Sequence, residues 1–218
     1  MRKLIGLLAL ITLLPLTAWA EFKDGEHYAR YPQQFPVATG DKIEVREIFW
    51  YGCPHCYTLE PKLQQWEKNA MPDNAEFIRM PGIFRENWVP HARAFYTFKS
   101  MGILDTMHDA LMIEMHQKKK RITTREQLAD LVEAKGYDRK KFLSTYNSFS
   151  VDSLSRQAAI MTKRYGITGV PSIVVDGRYV TGVGQAGGYD QLFKVINYLI
   201  GLAAEERKAA GEKQAPAG

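Results

Sequence analysis

Hydrophobic and polar residues alternate over residues 42–50 (KIEVREIFW), a run rich in β-branched and aromatic side chains, and this period of two predicts a strand. The strand leads directly into Tyr51-Gly52-Cys53, after which the period changes: Cys56, Leu59, Leu63 and Trp66 recur at helical spacing. Pro54 suits the first turn of that helix, where a missing N–H is harmless. Pro61 is expected to kink it, because its ring lacks the donor for the Tyr57 carbonyl and crowds that group. Residues 76–80 read as the next strand, and the order strand, helix, strand favours an α/β sheet.

From about residue 88 to 166 the pattern is helical only. Leu104, Met107, Leu111 and Met115 form one stripe, and Thr124 with Gln127 three residues on is a capping-box start for a helix carrying Leu128, Leu131 and Val132, ended near Gly136. Asp138 caps a short helix around Phe142, and Val151, Leu154, Ala158, Met161 and Tyr165 mark a long one. Strands then return at 172–175 and 178–181, joined by Asp176-Gly177, two residues that tolerate the positive φ of a tight hairpin. A last helix carries Leu192, Phe193, Ile196, Leu199 and Ile200. The pattern is that of an α/β domain interrupted by a helical insertion. After residue 203 hydrophobicity fades, and the end of the chain reads as a fraying helix and a disordered tail.

The N-terminus reads as an address. Met1-Arg2-Lys3 is a charged start, residues 4–14 are an apolar run interrupted only by Gly6 and Thr12, Pro15 breaks it, and Ala18-Trp19-Ala20 flank a cleavage point before Glu21. A membrane anchor would need about 20 apolar residues. The mature protein is therefore expected to be exported and soluble, in a compartment where disulfides persist. The net charge of +5 over 218 residues includes Arg2 and Lys3 and is too small to point to nucleic acid.

The chain has two cysteines, both in Cys53-Pro54-His55-Cys56, where the strand meets the helix. A cysteine at a helix N-terminus faces unpaired N–H groups and the positive end of the helix dipole, and both favour thiolate. His55 adds to this if it is protonated or donates toward Cys53. Cys56, one turn inward, is expected to be more buried and less acidic, so Cys53 attacks or is attacked and Cys56 resolves. A zinc site would need about four ligands. Haem attachment needs His after the second cysteine, where Tyr57 stands. A purely structural bridge over so short a loop would restrict the unfolded chain only weakly.

The signal peptide, FWYGCPHCY, the helical insertion, GVPSIVVDGRY and the final helix together resemble the DsbA family of periplasmic thiol oxidants, to about residue 205. The resemblance implies a thioredoxin fold with an inserted all-helical domain: 1–20 a leader that is removed, 21–83 plus 167–205 the thioredoxin-like domain, 84–166 the insertion, and 206–218 a disordered tail. It implies donation of the Cys53-Cys56 disulfide, with no other cofactor, to unfolded exported proteins with free cysteines, and reoxidation by a DsbB-type membrane quinone reductase. The protein is expected to be a monomer. Pro54 and His55 are the dipeptide typical of the family. Val170-Pro171 stands where thioredoxin-like proteins hold a cis proline facing the disulfide, and the Val170 backbone would pair with an extended substrate chain.

Glu47 shares a strand face with Ile43, Val45 and Phe49, and an acid on that apolar face must be neutral or paired. The family reading makes it a proton partner of Cys56 through water; the alternative is a structural ion pair. Arg79, where better-known members carry a lysine, is placed to pair with Glu47, and Glu60 is the other acid of the cluster. Residues 118–121 read as a solvated basic loop. His91, His108 and His116 match no ligand pattern and receive no function. Trp50, Tyr51 and Met80 fit either the floor of a peptide groove or the core. A reductase or isomerase using the same residues, and an exported non-catalytic binding module, are the competing readings.

Overall fold

The structure, a computed structural model, describes residues 22–214; the expected leader, residues 1–20, lies outside them. Five strands form one mixed sheet in the order β1-β5-β4-β2-β3, where β1 is Ala29–Arg30, β2 Ile43–Phe49, β3 Ala75–Pro81, β4 Ser172–Val175 and β5 Tyr179–Thr181. β2 runs parallel to β3 and antiparallel to β4, and the parallel register sets Glu47 opposite Arg79. β1 is only two residues long and pairs at the edge with β5, too short for any periodicity to announce it. Both faces of β2 are buried. The face opposite Glu47 is buried too, and there Glu44 is satisfied by Arg46 at 2.7 Å and the Ala38 N–H at 2.7 Å.

Helix α1, Pro54–Asn69, follows β2, and it continues through Pro61 without interruption. Its Leu59, Leu63 and Trp66 pack with Ile43, Val45, Leu192, Ile196 and Leu199 into one core between the sheet and α7, Tyr189–Gln214. Full burial of side chains of this size contributes about 1.5–3 kcal/mol each.

Between β3 and β4 lie α2 (Val89–Met101), α3 (Leu104–His116), α4 (Arg125–Ala134), α5 (Arg139–Tyr146) and α6 (Phe149–Arg164). The capping box at Thr124 is formed, with both reciprocal bonds to Gln127. The Asp138 carboxylate accepts from the Lys141 N–H at 2.9 Å. In α6 the expected stripe is corrected: Leu154 is exposed, and Ser155 and Thr162 are buried beside Val151 and Ala158. Their hydroxyls donate back to the Val151 and Ala158 carbonyls, which lets polar side chains occupy an inward face.

A second core joins the helical block to the sheet. It holds Phe95, Phe98, Leu111 and Phe142 together with Phe49, Tyr51, Cys53 and Cys56, so the cysteine pair sits where the two parts meet.

Residues 206–214 of the expected disordered tail are helical instead, because α7 continues to Gln214, and residues 215–218 lie outside the described ones. Glu206 pairs with Arg30 at 2.6 Å and Arg178 at 3.4 Å. Arg207 grips the fully buried Asp176 in the hairpin and donates to the Gly40 and Asp41 carbonyls. A segment rich in Ala, Glu and Lys is low in hydrophobicity and high in helix propensity, and here tertiary ion pairs hold it.

Candidate active site

β2 ends at Phe49, and the chain turns to set Cys53 at the N-cap of α1. The Cys53 N–H donates to the Trp50 carbonyl at 3.0 Å, and the Cys53 carbonyl accepts from the Tyr57 N–H at 3.1 Å. Trp50 lies flat against Trp88, ring centroids 4.1 Å apart. Only glycine fits at position 52, since a Cβ there would come within 2.4 Å of the Trp50 ring.

Both cysteines are free thiols here, Cys53 7% exposed and Cys56 fully buried. The hydrogen bond from Cys56 draws the Cys53 thiol down; burial opposes it, and the backbone N–H groups of Cys56 and His55 and the charge of His55 reinforce it, leaving Cys53 at about 6. Cys56 moves the opposite way. Burial, the bond to Cys53 and the charge of Glu47 push it far above the ordinary thiol range. The arrangement holds one thiolate and one thiol around a shared proton.

The Val170-Pro171 peptide bond is cis and faces the pair, and the Val170 carbonyl stands 3.4 Å from the Cys53 sulfur. A cleft of about 660 Å³ opens beside it, lined by His55, Gly169, Val170, Pro171, Val183 and Tyr189 among others. Pro54 and His55 are exposed on the first turn of α1.

Glu47 is buried, and no hydrogen bond reaches either of its carboxylate oxygens; Arg79 Nε stands 3.5 Å away. Burial, then the charge of Glu60, outweigh the attraction of Arg79 and push the Glu47 carboxyl up to about 8. Glu60 takes Arg79 at 2.7 Å and Gln64 at 3.0 Å on one oxygen and faces His108 at 3.3 Å with the other. For Glu60 burial acts upward, and the facing His108 imidazole and the charge of Arg79 bring the net shift down. Glu47 and Glu60 thus differ in charge while sharing one arginine.

The DSBA-like thioredoxin domain family matches the chain over residues 77–195. The thiol:disulfide interchange protein DsbA of Pseudomonas aeruginosa is 39% identical over 98% of this chain and 100% of its own length, and that of Azotobacter vinelandii is 38% identical over 96% and 100%. The chain belongs to the DsbA family. Among solved structures, Pseudomonas aeruginosa DsbA is similar with a TM-score of 0.79 at 39% identity, covering 88% of this chain and 97% of that one. The DsbA oxidoreductase of Xylella fastidiosa is similar at 0.76 and 28% identity, covering 85% and 98%.

Within this DsbA-family site, Cys53, Cys56, Pro54, His55, Val170 and Pro171 come together, with Glu47 beneath them on β2. Tyr51 and Met80 belong to the core and Trp50 is partly buried, which argues against the groove-floor alternative for the first two. Sequence reasoning missed two histidines. His116 Nε2 donates to the Tyr51 carbonyl at 2.7 Å and stacks on Tyr57, and His108 Nδ1 stands 3.0 Å from the Tyr51 hydroxyl. The available signal was positional, because His108 completes the apolar stripe of α3 at helical spacing from Leu104 and Leu111.

Proposed function

We propose that this DsbA-family oxidoreductase is an exported periplasmic disulfide donor for newly translocated proteins with free cysteines, reoxidised by a DsbB-type membrane quinone reductase. The observation that carries the reading is the opposite fate of the two thiols: Cys53 brought down to about 6, Cys56 held protonated by burial. Each unit by which Cys53 falls below ambient pH stabilises the dithiol by about 1.4 kcal/mol, or roughly 30 mV for the two-electron couple. The disulfide is then the less stable form and is readily given away.

The client chain lies extended against the Val170 backbone in the cleft beside Cys53. Its thiolate attacks the Cys53 sulfur, the Cys53–Cys56 bond breaks, and Cys56 leaves with the electron pair. Glu47, proton-bearing near neutral pH, returns a proton to that sulfur through water. A second client thiolate then attacks the client sulfur of the mixed disulfide and expels Cys53. An acidic thiol is a good leaving group, so this step is fast. The client is oxidised to a disulfide and the protein is reduced to the dithiol. The leader-like pattern read at residues 1–20 supports the location, and the family works through its cysteine pair. Among the described residues no helix is long and apolar enough to cross a membrane.

Cys56→Ser removes the resolving sulfur, so the test is a one-cysteine peptide, which has no second thiol to expel Cys53, presented to the reduced variant as its activated disulfide with thionitrobenzoate, which departs as Cys53 attacks the peptide sulfur. Accumulation of a Cys53 mixed disulfide is expected. No adduct would overturn the division of labour, and a wild-type disulfide that resists millimolar glutathione would overturn the direction.

A further inference from the structure

Among the buried titratable groups that the chemistry above does not use, His108 lies nearest its acids. His108 sits on α3, 4% exposed, with its ring against Phe49 and Tyr51. It belongs to an arc of polar groups that begins under Cys56: Glu47, Arg79, Glu60, His108, Tyr51. The groups facing it come from every neighbouring element. α1 contributes Glu60, Gln64 and Glu67, β3 contributes Arg79, the turn after β2 contributes Tyr51, and α3 itself contributes Asp105 and Asp109; all but Tyr51 line one cleft of about 340 Å³.

Hydrogen bonding orients the ring. Among the described residues the Tyr51 hydroxyl has one partner, His108 Nδ1; with the phenol donating there the imidazole proton sits on Nε2, which stands 3.3 Å from Glu60 Oε2 as an electrostatic contact without a hydrogen bond. Glu60 spends one oxygen on Arg79 and Gln64, and its other oxygen has His108. We propose that His108 is a positioning residue for the proton step: its Nε2–H dipole faces the far side of Glu60 at 3.3 Å, so that Arg79 is shared with Glu47 instead of being drawn wholly to Glu60. This rests on reading Glu47 as the proton partner of Cys56. Without the imidazole donor, Glu60 presents more negative charge and takes more of Arg79, and both effects make Glu47 hold its proton more tightly.

Asparagine and glutamine separate the two ends of the ring. His108→Asn keeps an acceptor near the Nδ1 position for Tyr51 and loses reach to Glu60, whereas His108→Gln places an amide donor near the Nε2 position. The experiment follows the Glu47 carboxyl by carbon-13 NMR titration of the reduced full chain, assigned by its loss in Glu47→Gln. The midpoint is expected to rise by roughly half a pH unit or more in His108→Asn, as befits one lost dipole–charge contact at low dielectric, and to stay near wild type in His108→Gln. An unmoved midpoint in His108→Asn, or equal shifts in both variants, would overturn the proposal. Should His108→Asn fail to fold, His108→Phe decides: it keeps an aromatic ring against Phe49 and Tyr51 and lacks the donor facing Glu60, so the Glu47 midpoint must rise, and a fall or no change refutes the arrangement. The titration does not depend on disulfide donation. A shifted midpoint alongside a Cys56→Ser variant that captures no client would keep the His108 arrangement and reject the donor reading.

Discussion

Removing the Cys53 thiolate should change how the stability of the reduced protein depends on pH. In the folded dithiol Cys53 titrates near 6, against an ordinary value of 9.0. A depressed folded-state pKa contributes stability that is fully present above the unfolded pKa and is lost as pH falls through the folded one. For Cys53 that window runs from 9 down to 6. The contribution is roughly 2–3 kcal/mol at pH 8, about 1 kcal/mol at pH 7, and close to nothing by pH 5. Cys53→Ser abolishes it, because a serine hydroxyl does not titrate in this range. Urea unfolding of reduced wild type and Cys53→Ser at pH 5, 6, 7 and 8, under constant reductant, isolates the difference; the buried acids are common to both and cancel to first order. The gap between the two proteins should open as pH rises. A gap that is flat from pH 5 to 8, or one that widens toward acid, would refute both the thiolate assignment and the argument that it drives disulfide release. The same energy appears at pH 7 as a shift of roughly 20–30 mV toward an oxidising couple.

Glu47→Gln should stabilise the protein by roughly 1–3 kcal/mol at pH 8 and hardly at all at pH 4.5, because a carboxyl raised to about 8 by burial pays for ionisation increasingly between those values; denaturant titration at both pH values checks the sign, and equal effects at the two would reject it. Gly177→Ala should cost roughly 2 kcal/mol or more, since position 177 has φ +62° and a Cβ there would lie 2.3 Å from the Phe35 carbonyl oxygen; thermal unfolding reads the loss. Arg207→Ala should cost roughly 2–4 kcal/mol, because it leaves the fully buried Asp176 with Arg178 and Gln34 alone. A midpoint equal to wild type would show that the end of α7 is dispensable.

The sheet strands, the capping box at Thr124 and the Asp176-Gly177 turn were legible because each is a local signal: alternation, a side chain reaching its own helix end, two residues at positive φ. The cysteine pair was legible for the same reason, being one tetrapeptide at a strand-to-helix join. What escaped depends on distant partners. Ser155 and Thr162 occupy an inward helix face that their composition argues against, and β1 exists only because β5 offers it an edge. The end of α7 is helix rather than tail because Arg30, Arg178 and Asp176, far away in sequence, meet Glu206 and Arg207. Glu47 was legible as a buried acid from its strand parity, and its expected pairing with Arg79 has its physical cause in the register of β2 with β3.

The difference between the two sulfurs has the same divided origin. The acidity of Cys53 is largely local, drawn from Cys56, His55 and the N–H groups at the start of α1, and any chain presenting this tetrapeptide at a helix N-terminus would share it. The depth of Cys56 is not local. Cys56 is buried in a core completed by Phe95, Phe98 and Leu111 of the helical block, and α3 of that block also supplies the histidines that hold Tyr51 and face Glu60. A change in the packing of α3 therefore reaches the resolving thiol and its acid through contacts, without touching the motif. Tuning of the pair in this fold should accordingly be found along α3 as well as between the cysteines.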